Sequence, residues 1–161
     1  MNDNATQRER CEAQILVVGY GNELRGDDAA GVRVARAVAT WEMPNVSVVT
    51  LHQLTPELAA TLAGVEYAIF VDAGPRGYAA DFGLTPLAPR TEGRLSAHTA
   101  DPGDLLSLTE ALYQRSPHAW LLTIPHADVA YGADLSATTS LGVLAALRYL
   151  RDQLPRLSRT V

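Results

Sequence analysis

Residues 14–32 read QILVVGYGNELRGDDAAGV, and this stretch decides the fold class. The apolar run Ile15–Val18 predicts a buried parallel strand, and Ala29–Thr40 predicts a helix with valines and alanines on its apolar side. A glycine loop joins the two and ends in Asp27 and Asp28. The stretch therefore predicts a β-α unit that carries two carboxylates just beyond the carboxyl end of its strand.

The glycine loop favours a cation site over a phosphate site. Gly19 and Gly21 after a strand suggest a dinucleotide-binding loop, but Leu24 stands where G-x-G-x-x-G needs its third glycine. Asp27 and Asp28 would also repel a pyrophosphate from the helix N-terminus. One aspartate is enough to cap a helix, so we expect Asp27 to be the cap, with a general-base role as the alternative.

Length and composition limit the possible architectures and partners. The chain has 161 residues, 47% hydrophobic and 19% charged, which suits one domain with one sizeable core. We expect a flexible polar leader over residues 1–13 and a domain over 14–161. A net charge of −5 argues against nucleic acid or an anionic membrane as partner. Neither an export signal nor a membrane-spanning run is evident, so a cytoplasmic location is expected. Cys11, the only cysteine, predicts an incidental free thiol.

The rest of the chain continues the alternation of strands and helices. Strands are predicted at Val46–Leu51, Tyr67–Val71 and Trp120–Ile124. Helices are predicted after Thr55-Pro56-Glu57 and after Asp101-Pro102, with Thr55 and Asp101 as caps and proline at the first helical position, and from near Ser136. The stretch from Phe82 to Pro89 is interrupted by Pro86, which predicts an edge strand. The pattern predicts a single-domain α/β fold with a twisted, mostly parallel sheet and helices on both faces.

Three side chains are candidates for a metal site. Ligands of open α/β sheets bind at the carboxyl edge, where Asp28 and Asp72 both fall. Together with His98 they could hold a cation such as Zn²⁺, Ni²⁺ or Cd²⁺ and leave coordination positions open. The alternatives are that Asp72 caps the turn that follows it and that His98 is hydrogen-bonded in a surface loop. His118 is expected in a solvated loop. His52 and His126 each follow an apolar strand, and a surface or capping role is favoured for them over a role as ligand.

Signatures of other hydrolases are absent. The sequence has no G-x-S-x-G elbow, no H-E-x-x-H helix and no cysteine near a histidine, so a covalent nucleophile is not expected.

Three segments resemble the nickel-iron ([NiFe]) hydrogenase maturation proteases in order and spacing: GYGNELRGDDAAGV from Gly19, YAIFVDAG ending at Gly74, and LSAHTADPGDLL around His98. The resemblance extends from Ile15 to the last helix. It implies an endopeptidase that removes the C-terminal extension of the hydrogenase large subunit precursor after nickel insertion. The partner would then be that precursor, with the nickel supplied by the substrate.

Carried over by position, the resemblance implies that Asp28, Asp72 and His98 are the metal-contacting and catalytic residues. Some members have glutamate at the position of Asp28. Asn22 and the turn Gly19–Gly21 would set the path of the loop, since glycine permits tight turns and close approach.

The stretch LHQLTPE at residues 51–57 departs from the family, because some members have an Asp-Gly-Gly-Thr type segment there. Which hydrogenase is processed therefore stays open, as do the scissile bond, a metal bound at rest and the oligomeric state. Two alternatives from other classes also remain. One is a non-catalytic nickel-sensing or chaperone-type module for the same precursor, and the other is a nucleotide-binding or hydrolytic small-molecule α/β domain.

Overall fold

A computed structural model describes residues 12–74, 81–90, 101–132 and 134–159 of the chain. Residues 1–11 of the predicted leader, with Cys11, lie outside these ranges, and so does His98. Within them no helix is long and apolar enough to cross a bilayer.

Five strands and four helices alternate along the described chain, as predicted. The strands are β1 (Ile15–Tyr20), β2 (Val46–Leu51), β3 (Tyr67–Gly74), β4 (Gly83–Leu87) and β5 (His118–Pro125). The helices are α1 (Ala30–Ala39), α2 (Leu58–Leu62), α3 (Pro102–Tyr113) and α4 (Ala137–Leu157), and a short 3₁₀ turn, Gly26–Ala29, precedes α1. The fifth strand begins earlier than predicted, because His118, expected in a loop, pairs with Tyr67.

The strands form one sheet in the order β2-β1-β3-β5-β4. Strands β2, β1, β3 and β5 are parallel to one another, and β4 pairs antiparallel with β5. Pro86 lies in β4 opposite Trp120, at the edge of the sheet. The predicted edge strand is therefore confirmed, since proline cannot donate to a ladder on both sides.

Helices cover both faces of the sheet, as expected. Side chains of a strand alternate between faces, so Ile15 and Val17 pack with α1 and α4, whereas Leu16 and Val18 pack with α2 and α3. The first helix packs very closely on the sheet at Gly31, where an added Cβ would lie 2.2 Å from the carbonyl oxygen of Val71. This contact fixes the β1–α1 loop over the carboxyl edge of the sheet.

Of the predicted caps, the one at Asp101 is confirmed, and Ser136 is a cap that was not predicted. Asp101 accepts a hydrogen bond from the N–H of Gly103 at 2.7 Å, with proline at the first helical position, and Ser136 accepts one from Thr139 at 3.2 Å. The predicted cap at Thr55 is wrong, because α2 starts only at Leu58. The Thr55 hydroxyl donates instead to the Glu57 carboxylate.

Candidate active site at the carboxyl edge of the sheet

The glycine loop after β1 folds tightly around Asp28. Gly21 has φ +139°, and an added Cβ would lie 2.0 Å from the backbone oxygen of Asp28. The N–H of Asn22 donates to Asp28 Oδ2 at 2.8 Å, and Asn22 Oδ1 accepts from the N–H of Leu24 at 2.9 Å. The role predicted for Asn22 and the glycine turn, to set the path of the loop, is thus confirmed.

Asp28 keeps part of its carboxylate available. Its side chain is partly exposed, and Oδ2 is the oxygen that Asn22 engages. No residue of the described ranges donates a hydrogen bond to Oδ1. The loop therefore orients this carboxylate while leaving one oxygen for a ligand.

Asp72 lies near the carboxyl end of β3, where its charge interacts with that of Asp28, and we call these two carboxylates and their surroundings the crevice. The pKa of its carboxyl group is raised to about 6, mainly by burial and in smaller part by the negative charge of Asp28. Hydrogen bonds from the Tyr20 hydroxyl and the Ala73 N–H, and the charge of His126, act in the opposite direction. The structure thus brings two of the three predicted ligands within electrostatic reach of each other.

Tyr20 is a site residue that the sequence analysis missed. Burial, the charge of Asp72 and the hydrogen bond to it all hold the pKa of the Tyr20 hydroxyl well above its usual value, so this group stays a donor. A signal was available in the strand register. Gly19 pairs with Val71, so the next residue of each strand, Tyr20 and Asp72, should be neighbours.

Asp27 does not cap its own helix, and that prediction is wrong. The N-cap residue of the 3₁₀ turn is Arg25, without a side-chain capping bond. Asp27 is fully buried, and its carboxylate accepts bonds from residues about a hundred positions later: the N–H groups of Ala127, Asp128 and Ser136 and the Ser136 hydroxyl.

These contacts also argue against Asp27 as a general base. Burial by itself raises the pKa of Asp27, but the hydrogen bonds from Asp128, Ala127 and Ser136 outweigh it and hold the pKa well below the usual range. A carboxylate whose oxygens are occupied in this way is a poor proton acceptor.

Of the predicted ligands, His98 lies outside the described residues. Within those ranges no group of three or more His, Cys, Asp or Glu is placed to hold a metal ion. Among the described histidines, His126 is the one whose charge acts on Asp72. The backbone N–H of His126 donates to the carbonyl of Gly74 at 3.0 Å. His52 and His118 are exposed, in keeping with the surface role expected for them.

Comparison with solved structures places this site in a known fold. The endopeptidase HybD of Escherichia coli superposes with a TM-score of 0.71 at 21% identity, over 89% of this chain and 93% of that chain. The maturation protease HycI of Thermococcus kodakarensis KOD1 gives 0.66 at 23% identity, over 91% and 93%. The chain has the fold of the nickel-iron hydrogenase maturation proteases. At these identities the likeness establishes the fold alone. No family model matches the sequence, and no curated protein matches it.

In this maturation-protease fold a groove lies beside the glycine loop that precedes Asp28. It encloses about 590 Å³ and is lined by the glycine loop, the end of β2, His52 and Tyr131. Asn22 belongs to its lining, and the backbone N–H of Asn22 donates to Asp28, so the groove borders the loop that orients this carboxylate. A polypeptide segment in the groove would therefore contact that loop.

Proposed function

We propose that this protein is an endopeptidase that removes the C-terminal extension of the nickel-loaded large subunit precursor of a nickel-iron hydrogenase. The observation that carries the proposal is the meeting of Asp28 and Asp72 in one crevice at the carboxyl edge of a maturation-protease fold. A groove of about 590 Å³ borders the glycine loop that orients Asp28. Structures described as hydrogenase maturation proteases from two organisms cover about nine-tenths of the chain.

In this proposal Asp28, Asp72 and His98 bind the nickel that arrives in the substrate. Two carboxylates and one imidazole suit a borderline divalent cation and leave coordination positions for the substrate's own ligands. The electrostatics supports this use, because the charge of Asp28 makes ionisation of Asp72 harder and a cation between them would relieve that cost. Tyr20 holds the Asp72 carboxylate by a hydrogen bond.

The substrate's nickel has two functions here. It is a template that brings the scissile segment to the crevice, and as a Lewis acid it polarises the scissile carbonyl or an attacking water. The chain itself provides the ligand set and the groove. Cleavage should therefore require nickel in the precursor.

Cleavage of purified precursor tests the proposal. Precursor with and without nickel is incubated with the wild-type protein and with Asp28→Asn, Asp72→Asn and His98→Gln, and tail removal is followed by mass spectrometry. We expect cutting of the nickel-loaded precursor by wild type only, with each variant slowed at least about a hundredfold. Asp152→Asn, an exposed substitution in α4 that affects surface contacts with Arg156 and Gln153, is the matched control and should cut normally.

Two results would change the assignment. Full cutting by all three variants would refute the ligand set. An intact tail with wild-type protein, together with nickel-dependent binding of the precursor, would favour the non-catalytic nickel-sensing module. A separate variant, His126→Gln, distinguishes the two histidines: loss of cutting there but not with His98→Gln would assign the imidazole ligand to His126.

A further inference from the structure

The chain between β5 and α4, described at residues 127–132 and 134–136 and called segment 127–136 below, is attached to the β1–α1 loop by a buried carboxylate. Asp27 Oδ2 accepts from the N–H of Ala127 at 2.7 Å and of Asp128 at 2.8 Å, and Oδ1 accepts from the N–H of Ser136 at 2.6 Å. The Ser136 hydroxyl also donates to Oδ2, at 2.8 Å. One side chain thus ties both ends of the segment, and we call this arrangement the Asp27 clamp.

Further contacts join the same two loops. The N–H of Asp27 donates to the carbonyl of Asp128 at 2.9 Å, and the N–H of Gly132 donates to the carbonyl of Leu24 at 2.8 Å. The Arg25 guanidinium lies over the ring of Tyr131, 5.4 Å from its centroid. The loops therefore form one continuous surface whose buried anchor is Asp27.

The clamp is also connected to the sheet through the start of α4. The Ser136 hydroxyl accepts from the N–H of Thr139, and the buried Thr139 hydroxyl donates to the carbonyl of Pro125 at 2.8 Å. Interior hydrogen bonds that are all satisfied hold their groups in one arrangement. The position of segment 127–136 is consequently set by Asp27 from one side and by the end of β5 from the other.

The part of the segment that the clamp positions is one wall of the groove. Tyr131 lines the groove together with Asn22 and Leu24, and the side chains of Leu24 and Tyr131 are 65% and 71% exposed. His126 does not depend on the clamp, because its backbone N–H donates to the carbonyl of Gly74 at the end of β3. Loosening the clamp should therefore move the groove wall more than it moves the residues beside Asp72.

We propose that Asp27 is a positioning residue that fixes the Tyr131 wall of the groove for the polypeptide segment next to the scissile bond. This inference rests on the proposed function, because the occupant of the groove is the precursor. A free loop of ten residues would have to be ordered each time substrate binds, at a cost in affinity. A clamped loop is already ordered, so the clamp should act on substrate binding and leave the chemical step nearly unchanged.

The experiment compares Asp27→Asn with a control variant of lowered stability. An amide in place of the carboxylate loses acceptor capacity and opposes an N–H donor to the N–H groups of the loop. We expect the KM for nickel-loaded precursor to rise about tenfold, with kcat within about twofold of wild type. Leu154→Ala removes a fully buried side chain at the far end of α4; it should lower the melting temperature but leave KM unchanged.

Amide hydrogen exchange gives a readout that does not depend on cleavage. In Asp27→Asn the N–H groups of Ala127, Asp128 and Ser136 should exchange faster, whereas those of β3 should not. If Asp27→Asn does not fold, Ser136→Ala, which removes a single donor of the clamp, should give a smaller rise in KM and faster exchange at the same sites.

The outcomes separate the two proposals. Faster exchange with unchanged KM would overturn the positioning role, and so would an equal rise in KM for Leu154→Ala. If the wild-type protein cuts no precursor, the proposed function fails; the dissociation constant of the precursor in the same variants then decides the role of the clamp. A dissociation constant about tenfold weaker in Asp27→Asn alone would support it, and an unchanged one would reject it.

Discussion

The Asp27 clamp and the crevice of Asp28 and Asp72 are neighbouring regions that shift the pKa of a carboxyl group in opposite directions. In the clamp, a fully buried carboxylate accepts four hydrogen bonds, and its pKa is held well below the usual range. In the crevice, burial and a second negative charge raise the pKa of Asp72 to about 6. Burial is common to both, so the difference comes from the larger number of hydrogen-bond donors at Asp27 and from the second negative charge beside Asp72.

This contrast distinguishes a carboxylate whose hydrogen bonds are all supplied by the protein from two carboxylates that a ligand could still engage. Asp27 is already satisfied by the protein and gains nothing from a ligand. Asp28 and Asp72 repel each other and accept fewer hydrogen bonds, so a cation bound between them would reduce their electrostatic repulsion. Adjacent residues of one Asp-Asp pair thus have different roles, and the contrast can be tested from the larger effect to the smaller.

Substituting Gly21, which packs against the backbone of Asp28, should have the largest effect on stability. In Gly21→Ala the new Cβ would lie 2.0 Å from the Asp28 backbone oxygen, at a φ that L-residues avoid. We expect the free energy of unfolding to fall by about 3 kcal/mol or more, as measured by urea denaturation.

Gly132→Ala is the matched control for that measurement. Gly132 also has a positive φ, +72°, but an added Cβ there would meet nothing within 4 Å. This substitution should cost only the backbone strain, about 1 kcal/mol. Equal losses for the two variants would show that the contact between Gly21 and Asp28 is unimportant.

Removing the charge of Asp72 should stabilise the protein while it abolishes activity. Because the folded pKa, about 6, exceeds the ordinary 3.8, the folded protein retains a proton that the unfolded chain loses. The contribution of Asp72 to the free energy of unfolding of wild type therefore falls as pH rises from about 4 to about 6. Above pH 6 this contribution stays constant. Asp72→Asn should gain about 1–2 kcal/mol over wild type at pH 7, after allowance for partial exposure.

The measurement is the difference in unfolding free energy between the two proteins across pH. The difference should grow between about pH 4 and 6 and then level off. A variant less stable than wild type at pH 7, or a difference independent of pH, would contradict the account of the crevice.

The smallest effect is expected for the hydrogen bond of Tyr20. Tyr20→Phe removes a donor to Asp72, so the pKa of Asp72 should rise further and the pH window above should move upward. The loss of stability at pH 7 should be about 1 kcal/mol. Tyr113→Phe, at an exposed position in α3, is the control and should change stability by less than about 0.5 kcal/mol. An unmoved window would show that Tyr20 does not tune Asp72.

Much of the architecture could be predicted from local pattern. The alternation of apolar runs and helical periods indicated the parallel sheet, and Pro86 marked the edge strand. The carboxyl-edge rule placed Asp28 and Asp72 together, because parallel strands end at the same side of a sheet. The assignment of His98 stays a prediction, since it lies outside the described residues.

The failures occurred where partners are distant in the chain. Helix-capping rules consider a few neighbouring residues, so they assigned Asp27 to its own helix and Thr55 to α2. The donors to Asp27 follow about a hundred residues later. Tyr20 was missed for a related reason, since its partner Asp72 is a neighbour only through strand register.

The sequence alone determined the strand–helix alternation, the glycine loop and the chemical types of the candidate ligands, because these depend on periodicity and on residues close in the chain. Only the tertiary structure decided which aspartate has its oxygens occupied by hydrogen bonds from the protein and which remains available to a ligand. That division depends on how many N–H groups from distant segments reach each carboxylate, and such convergence is a property of the folded chain.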